Sequence, residues 1–227
     1  MEVGRRWTFA SALDWPGWCR RGKGTQAALD ELVAYAPRYA RIVGLALDDG
    51  QVGNGDQISN GNQIGNGDQV GDGDQVGDIE VVGDIEIVGE VAGDATTDFG
   101  APAAIGPWDR EQFAPSEVER HIELLRAVWH GFDDVVSASP EVLGKGPRGG
   151  GRDRDAIAEH VREAERAYGR KIGVGLAPRT PWAEQRDLLV AALRAETGDI
   201  AWPLRYGIRR MAWHVTDHLW EIEDRAG

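Results

Sequence analysis

Residues 204–225 read LRYGIRRMAWHVTDHLWEIEDR. Leu204, Ile208, Met211, Val215, Leu219 and Ile222 recur at steps of three and four. Such spacing puts one apolar stripe on a helix and predicts an amphipathic one. Trp202-Pro203 opens it, and it runs to about Asp224. At 100° per residue, His214 and His218 fall about 80° and about 40° from the stripe's centre, on the same flank. Two imidazoles one turn apart on one face can hold a single metal ion.

Three more helices precede it. Pro115-Ser116 starts the first, with Glu119 completing a capping box on Ser116 and Ser139-Pro140 ending it. Its stripe runs from Val118 through Ile122, Leu125, Val128, Trp129 and Phe132 to Val136. A Gly/Arg-rich loop, Gly144–Arg152, leads to the second helix, Asp155 to Lys171. Ile157, Val161, Ala164 and Tyr168 form its inner stripe, and His160 lies about 60° off that stripe. Thr180-Pro181 starts the third helix, with Pro at the first helical position. Leu188, Leu189, Ala192 and Leu193 face inward, and Gly198 stops it. Four amphipathic helices of about 15–22 residues predict a four-helix bundle over 115–227.

All five histidines lie in these helices. His160, His214 and His218 each flank an inner stripe. Three neutral imidazoles with an open fourth position have the form of a catalytic zinc site. A single i, i+4 His pair also arises by coincidence, so these residues by themselves leave both readings open. His121 and His130 lie on opposite faces of the first helix and read as surface or partner-facing. Nine tryptophans are many for 227 residues. Trp129, Trp213 and Trp220 read as interhelix packing, with their N–H groups satisfied at the edge.

The runs AIAEHVREAERAYGRKIG and LRYGIRRMAWHVTDHLWEIEDR together resemble the DinB-like metal-binding bundle superfamily. Its pattern is one His on the second helix and a His-x-x-x-His pair on the last. The resemblance covers about half the chain, residues 110–225. It implies His160, His214 and His218 as ligands of a divalent ion, zinc or nickel. It also implies either thiol S-transferase chemistry with a low-molecular-weight thiol, or mycothiol-dependent isomerisation. A three-His ion keeps its charge and lowers the pKa of a bound thiol or water. Glu163 and Asp217 are candidates for the carboxylate that orients a ligand His. Tyr168 is a candidate proton donor near the site, its plainer role being core. Arg210, with Arg205 and Arg209, is a candidate for a substrate carboxylate, its plainer role being the solvated face. Cys19 reads as a small buried hydrophobe rather than a nucleophile.

The N-terminal part reads as a small α/β module over 1–94. Trp7–Ala10 is strand-like, Leu13–Cys19 is a turn built on Pro16-Gly17, and Gly24-Thr25 opens a helix reaching Tyr39, with Thr25 as N-cap. The run LDWPGWCRRGKGTQAALDELVAYAPRYA resembles the HicB-like antitoxin fold, although Trp15 interrupts the usual Leu-Pro-Gly. No DNA-binding extension accompanies it.

Seven hexads interrupt the module between Gln51 and Ala92: QVGNGD, QISNGN, QIGNGD, QVGDGD, QVGDIE, VVGDIE and IVGEVA. Val or Ile holds the second place of each hexad. A solvated low-complexity insert, a small β-solenoid and a calcium-binding array all fit such a repeat. The first needs the least ordering entropy. Solenoids need three or more stacked repeats, and calcium solenoids use a nine-residue period. The last hexads, Asp84–Val91, read as a strand. Residues 95–114 read as a Gly/Pro-rich linker.

The net charge is −13, and residues 51–94 carry −10 of it, leaving −3 for the rest. That balance argues against nucleic acid or an anionic membrane as partner. One cysteine excludes a disulfide framework. No apolar run of about 18 residues exists for a membrane span. With no long apolar segment behind Arg5-Arg6, a cytoplasmic location is expected.

The fold expected is therefore α+β: a DinB-like four-helix bundle after a small α/β module. The function expected is that of a metal-dependent, thiol-using S-transferase or isomerase, or a metal-assisted hydrolase, acting on a small molecule. Pairing with a second copy is left open. The rival is a non-enzymatic binding or regulatory protein, its metal structural or absent, recruiting a partner through the N-terminal module and acidic repeat.

Overall fold

The computed structural model describes residues 1–48, 85–146, 151–195 and 200–227. Most of the hexad repeat, and Gly198, lie outside the described residues. Among those residues the chain is mixed α+β, with seven α-helices and four strands. Strands β1 (Glu2–Val3), β2 (Thr8–Ser11), β3 (Cys19–Gly22) and β4 (Val91–Ala92) form one sheet in the order β3-β2-β1-β4. β1 and β3 run antiparallel to β2, and β4 runs parallel to β1. Phe9 faces Glu2 on one side and Arg21 on the other.

β3 corrects the reading of 13–19 as turn alone. The reversal at Pro16-Gly17 returns the chain so that Cys19 pairs with Ser11. Gly17 has φ +101°, and a Cβ there would sit 2.7 Å from Thr216 Oγ1. Both the backbone conformation and the close approach require glycine. The expected strand at 84–91 is paired only at Val91–Ala92 among the described residues.

The single helix expected from Gly24-Thr25 to Tyr39 is two. Helix α1 (Thr25–Ala34) follows Gly24, so Thr25 is its first residue rather than its cap. Helix α2 spans Ala36–Asp48. Pro37 is the physical reason: it has no N–H to donate into the α1 ladder, but is tolerated in the first turn of a new helix. α2 packs on α4 (Pro115–Ala138), where Ile42 closes over Gly131.

The expected linker is built into the fold. Asp94 caps the short helix α3 (Ala95–Phe99), accepting from Thr96 N at 2.7 Å and Thr97 N at 3.3 Å. Buried Glu2 accepts from the Thr97 hydroxyl and from the N–H groups of Ala103 (2.9 Å) and Ala104 (3.0 Å). Asp109, in a 3-10 turn at Pro107–Arg110, takes a two-pronged pair from Arg209 at 2.8 and 3.0 Å. A buried carboxylate needs such partners to stay folded away from water.

The remaining helices are α5 (Arg154–Lys171), α6 (Trp182–Ala195) and α7 (Leu204–Arg225). α7 lies against α4 and α5, and α6 packs on α4 and α5. The start of α4 differs from the expected Ser116/Glu119 box. Pro115 is the first helical residue, and Glu117 accepts from Ala114 N at 2.9 Å. Glu119 instead pairs with Arg194 of α6.

One hydrophobic cluster joins the module to the helices. It runs from Ala10, Trp18, Leu32 and Tyr39 to Phe132, Ile157, Leu189, Met211 and Leu219. A second sets Trp213 of α7 against Phe9 and Cys19 of the sheet. Among the described residues, no helix is long and apolar enough to cross a membrane.

Candidate metal centre

α5 and α7 are held together by their apolar stripes. Ile157 and Val161 on one, and Met211, Val215 and Leu219 on the other, are at most 1% exposed. His160 projects from the edge of the first stripe, and His214 and His218 from the edge of the second. The two edges meet. One ligand atom from each of the three rings lies within 4.8 Å of the others. The ring centroids are 5.1, 5.0 and 4.7 Å apart. Metal–nitrogen bonds of about 2.1 Å at tetrahedral angles space ligand nitrogens about 3.4 Å apart.

Burial keeps two of the rings unprotonated. Burial holds His214 uncharged, well below the usual imidazole range, assisted by His218, Arg210, His160 and Arg152. Burial lowers His160 as well, followed by His218 and Arg152. His214 Nδ1 is buried with no hydrogen-bond partner. Neutral imidazoles with unshared lone pairs are ligands in waiting. The donor set fits zinc or nickel, both of which accept imidazole nitrogen.

The carboxylate that orients a ring is one the sequence reading missed. Glu221 Oε2 lies 2.7 Å from His218 Nδ1, which leaves Nε2 as that ring's other nitrogen for a ligand bond. The hydrogen bond from His218 is the main cause lowering the Glu221 carboxyl below its ordinary range. Glu221 Oε1 accepts from Arg225 Nη1 at 2.8 Å, and Arg225 Nε donates to Gly144 O at 2.8 Å. The signal was local: a carboxylate three residues after a ligand His sits above it on the helix.

The two expected carboxylates are placed otherwise. Glu163 is exposed and pairs with Arg166 at 3.6 Å. Asp217 pairs with Arg20 of β3 at 3.5 Å. Neither forms a hydrogen bond with the three rings among the described residues. Tyr168 meets His214 edge to face at 5.7 Å, and burial raises its phenol above the usual value. Arg210 lies over Trp213 at 4.5 Å and Tyr168 at 5.5 Å, and its Nη1 is buried without an acceptor. Arg209 is occupied by Asp109.

His121 is not at the surface. It is 2% exposed, with Nδ1 2.8 Å from Glu117 O and Nε2 3.3 Å from Leu13 O. It ties α4 to the turn after β2, a long-range contact that helical angles cannot show. His130 is exposed and faces Asp134 at 3.5 Å. Cys19 is buried, with its thiol raised to about 11 by that burial. Trp129, Trp213 and Trp220 are buried as expected, but Trp220 Nε1 has no acceptor. The chain matches no protein-family model, no curated protein and no solved structure.

Proposed function

We propose that this chain is a three-His metalloprotein of the DinB-like type, holding zinc or nickel on His160, His214 and His218. The observation that carries the reading is the convergence of three ligand atoms within 4.8 Å from two helices, with His160 and His214 54 positions apart in the chain. When bound, such an ion supplies a positive charge that lowers the pKa of a thiol or water beside it. The activity that follows is a thiol-dependent transfer or isomerisation, or a hydrolysis, on a small molecule. A low-molecular-weight thiol such as mycothiol would be the co-substrate.

The chain's own groups fit those roles. Glu221 holds the proton on His218 Nδ1 and so fixes that ring's tautomer. Burial keeps His214 neutral and hence a donor of its lone pair. Tyr168 keeps its phenolic proton through neutral pH and stands beside His214, where it can donate to a reacting atom. Arg210, with one N–H unused, can orient an anionic group of the substrate. No cysteine of the chain takes part, since Cys19 is buried as a neutral thiol.

The test is metal content of the purified protein by mass spectrometry, wild type beside His214→Ala. About one zinc or nickel per chain, lost in the variant, supports the reading and directs assays to thiol transfer. Folded protein that carries no metal and refuses both ions defeats it. The binding-protein reading would then lead, favoured by a cavity of about 660 Å3 lined by residues of the N-terminal module, such as Ala10, Trp18 and Leu32, and not by the three histidines.

A further inference from the structure

The cavity of about 660 Å3 lies where β1, β2, α1 and the segment 85–91 meet the start of α7. Pockets of about 300–1,000 Å3 are the size of small-molecule sites. Leu29 and Leu32 of α1, with Trp15, Trp18 and Trp108, give it an apolar and aromatic wall. The cations of its lining are already engaged. Arg209 pairs with Asp109 at 2.8 Å, Arg205 is met by Glu117 at 3.5 Å, and the Met1 ammonium donates to Gly89 O at 2.8 Å. Glu2 is engaged too, by the three donors already named.

The reachable groups left over are acceptors. Asp14, Glu86, Glu90 and Glu111 line the cavity and are exposed to solvent. No hydrogen bond or ion pair reaches these four carboxylates among the described residues. Arg120 donates to the backbone O of Asp14 rather than to its carboxylate, and lies over the Trp15 ring at 4.6 Å. That wall therefore already holds one cation against an aromatic face, and a ligand cation beside these rings gains in the same way. The Ser11 hydroxyl, also in the lining, gives its proton to Cys19 Sγ at 3.0 Å, which leaves its lone pairs to accept. Free carboxylates gathered at one mouth repel an anion and attract a cation. They also disfavour the chain's own repeat as occupant, since residues 51–84 carry Asp and Glu but no Lys or Arg. We infer that the cavity binds a small organic ammonium ion with an apolar body. The body lies against Leu29, Leu32 and the tryptophans. The N–H groups donate to the carboxylates of the mouth, with Ser11 Oγ as a further acceptor. The three histidines do not line this site, and it does not depend on the metal reading.

The test is calorimetric titration of the full chain, at low ionic strength, with 3-phenylpropylamine, 3-phenylpropan-1-ol and 3-phenylpropionate. The amine is expected to fill a single site per chain and to bind about fivefold or more tightly than the alcohol, since partly exposed ion pairs each add modestly and several act together. The carboxylate should bind most weakly. Added salt should narrow the gap between amine and alcohol. A variant carrying Asp14→Asn, Glu86→Gln, Glu90→Gln and Glu111→Gln should bind the amine no better than the alcohol and leave the alcohol unmoved. Melting curves report whether it folds. If it does not, Glu86→Gln and Glu111→Gln singly decide the matter, each expected to weaken the amine about twofold. His214→Ala should leave amine binding unchanged. Wild-type protein that does not bind the amine at millimolar concentration overturns the inference, as does equal binding of amine and alcohol, or amine scattered over many weak sites. A preference untouched in the folded variants, or amine binding lost with His214→Ala, does the same.

Discussion

Removing the Glu221 carboxylate should loosen the metal centre without touching a ligand. His218 Nδ1 sits 2.7 Å from Glu221 Oε2, and the same carboxylate is gripped from behind by Arg225 at 2.8 Å. In Glu221→Ala the imidazole loses the group that fixes its tautomer and its ring angle. Loss of such a partner weakens metal binding by about 10–100-fold, or about 1.4–2.7 kcal/mol. Glu221→Gln retains an amide oxygen that still accepts, so its loss should be smaller. Arg225→Met leaves the bond to His218 in place and should have the least effect of the three. Zinc affinity measured by competition with a chromophoric chelator orders the series, with circular dichroism confirming that each variant is folded. Folded Glu221→Ala that binds zinc as tightly as wild type would refute the reasoning.

Other perturbations report on the frame that carries the site. Asp109→Ala strands Arg209 in a buried position and should cost about 3–5 kcal/mol in urea unfolding, whereas a loss under about 1 kcal/mol would show the pair is not buried in solution. Phe132, fully buried at 0% exposure, should cost about 3–5 kcal/mol when cut to Ala, read by the same assay. Gly17→Ala meets both the positive φ and Thr216, so its melting temperature should fall, and an unchanged value would deny the close approach. Burial lowers the folded pKa of His121, so the unfolded chain binds the extra proton first. Its contribution to stability is present above about pH 6.5 and is lost on acidification, at up to about 1.4 kcal/mol per pH unit. His121→Gln should show a correspondingly shallower fall between about pH 6.5 and 5, and an identical slope would count against it.

Much of the helical half was legible because its signals are local. The steps of three and four in 118–136, 157–168 and 204–222 report which face of each helix is dry, whatever it packs against. Proline placed the starts of α4, α6 and α7 to within a residue or two. Legibility failed where partners are distant in the chain. Arg209 reads as a free cation until Asp109, 100 residues earlier, is brought to it. His121 reads as surface until Leu13 O arrives beside its ring. Cys19–Gly22 does not read as a strand because CRRG has no strand pattern of its own; pairing with β2 makes it one. Pro37 and Glu221 carry local signals, a helix break and a carboxylate one turn after His218.

The amino-acid order by itself therefore determined the four helices of the second half, the dry faces of α4, α5 and α7, and the one-turn spacing of His214 and His218, since each depends on residues within a few positions of one another. On α6 it misplaced the face, where Leu188 is 40% exposed and Gln185 and Val190 are buried. Only the tertiary structure decided that the flank bearing His160 faces the flank bearing that pair, and that the module, the segment 95–114 and the helices share one core. Those arrangements depend on which dry face is buried against which, and that choice is made by the packing of the whole chain rather than by any stretch of it.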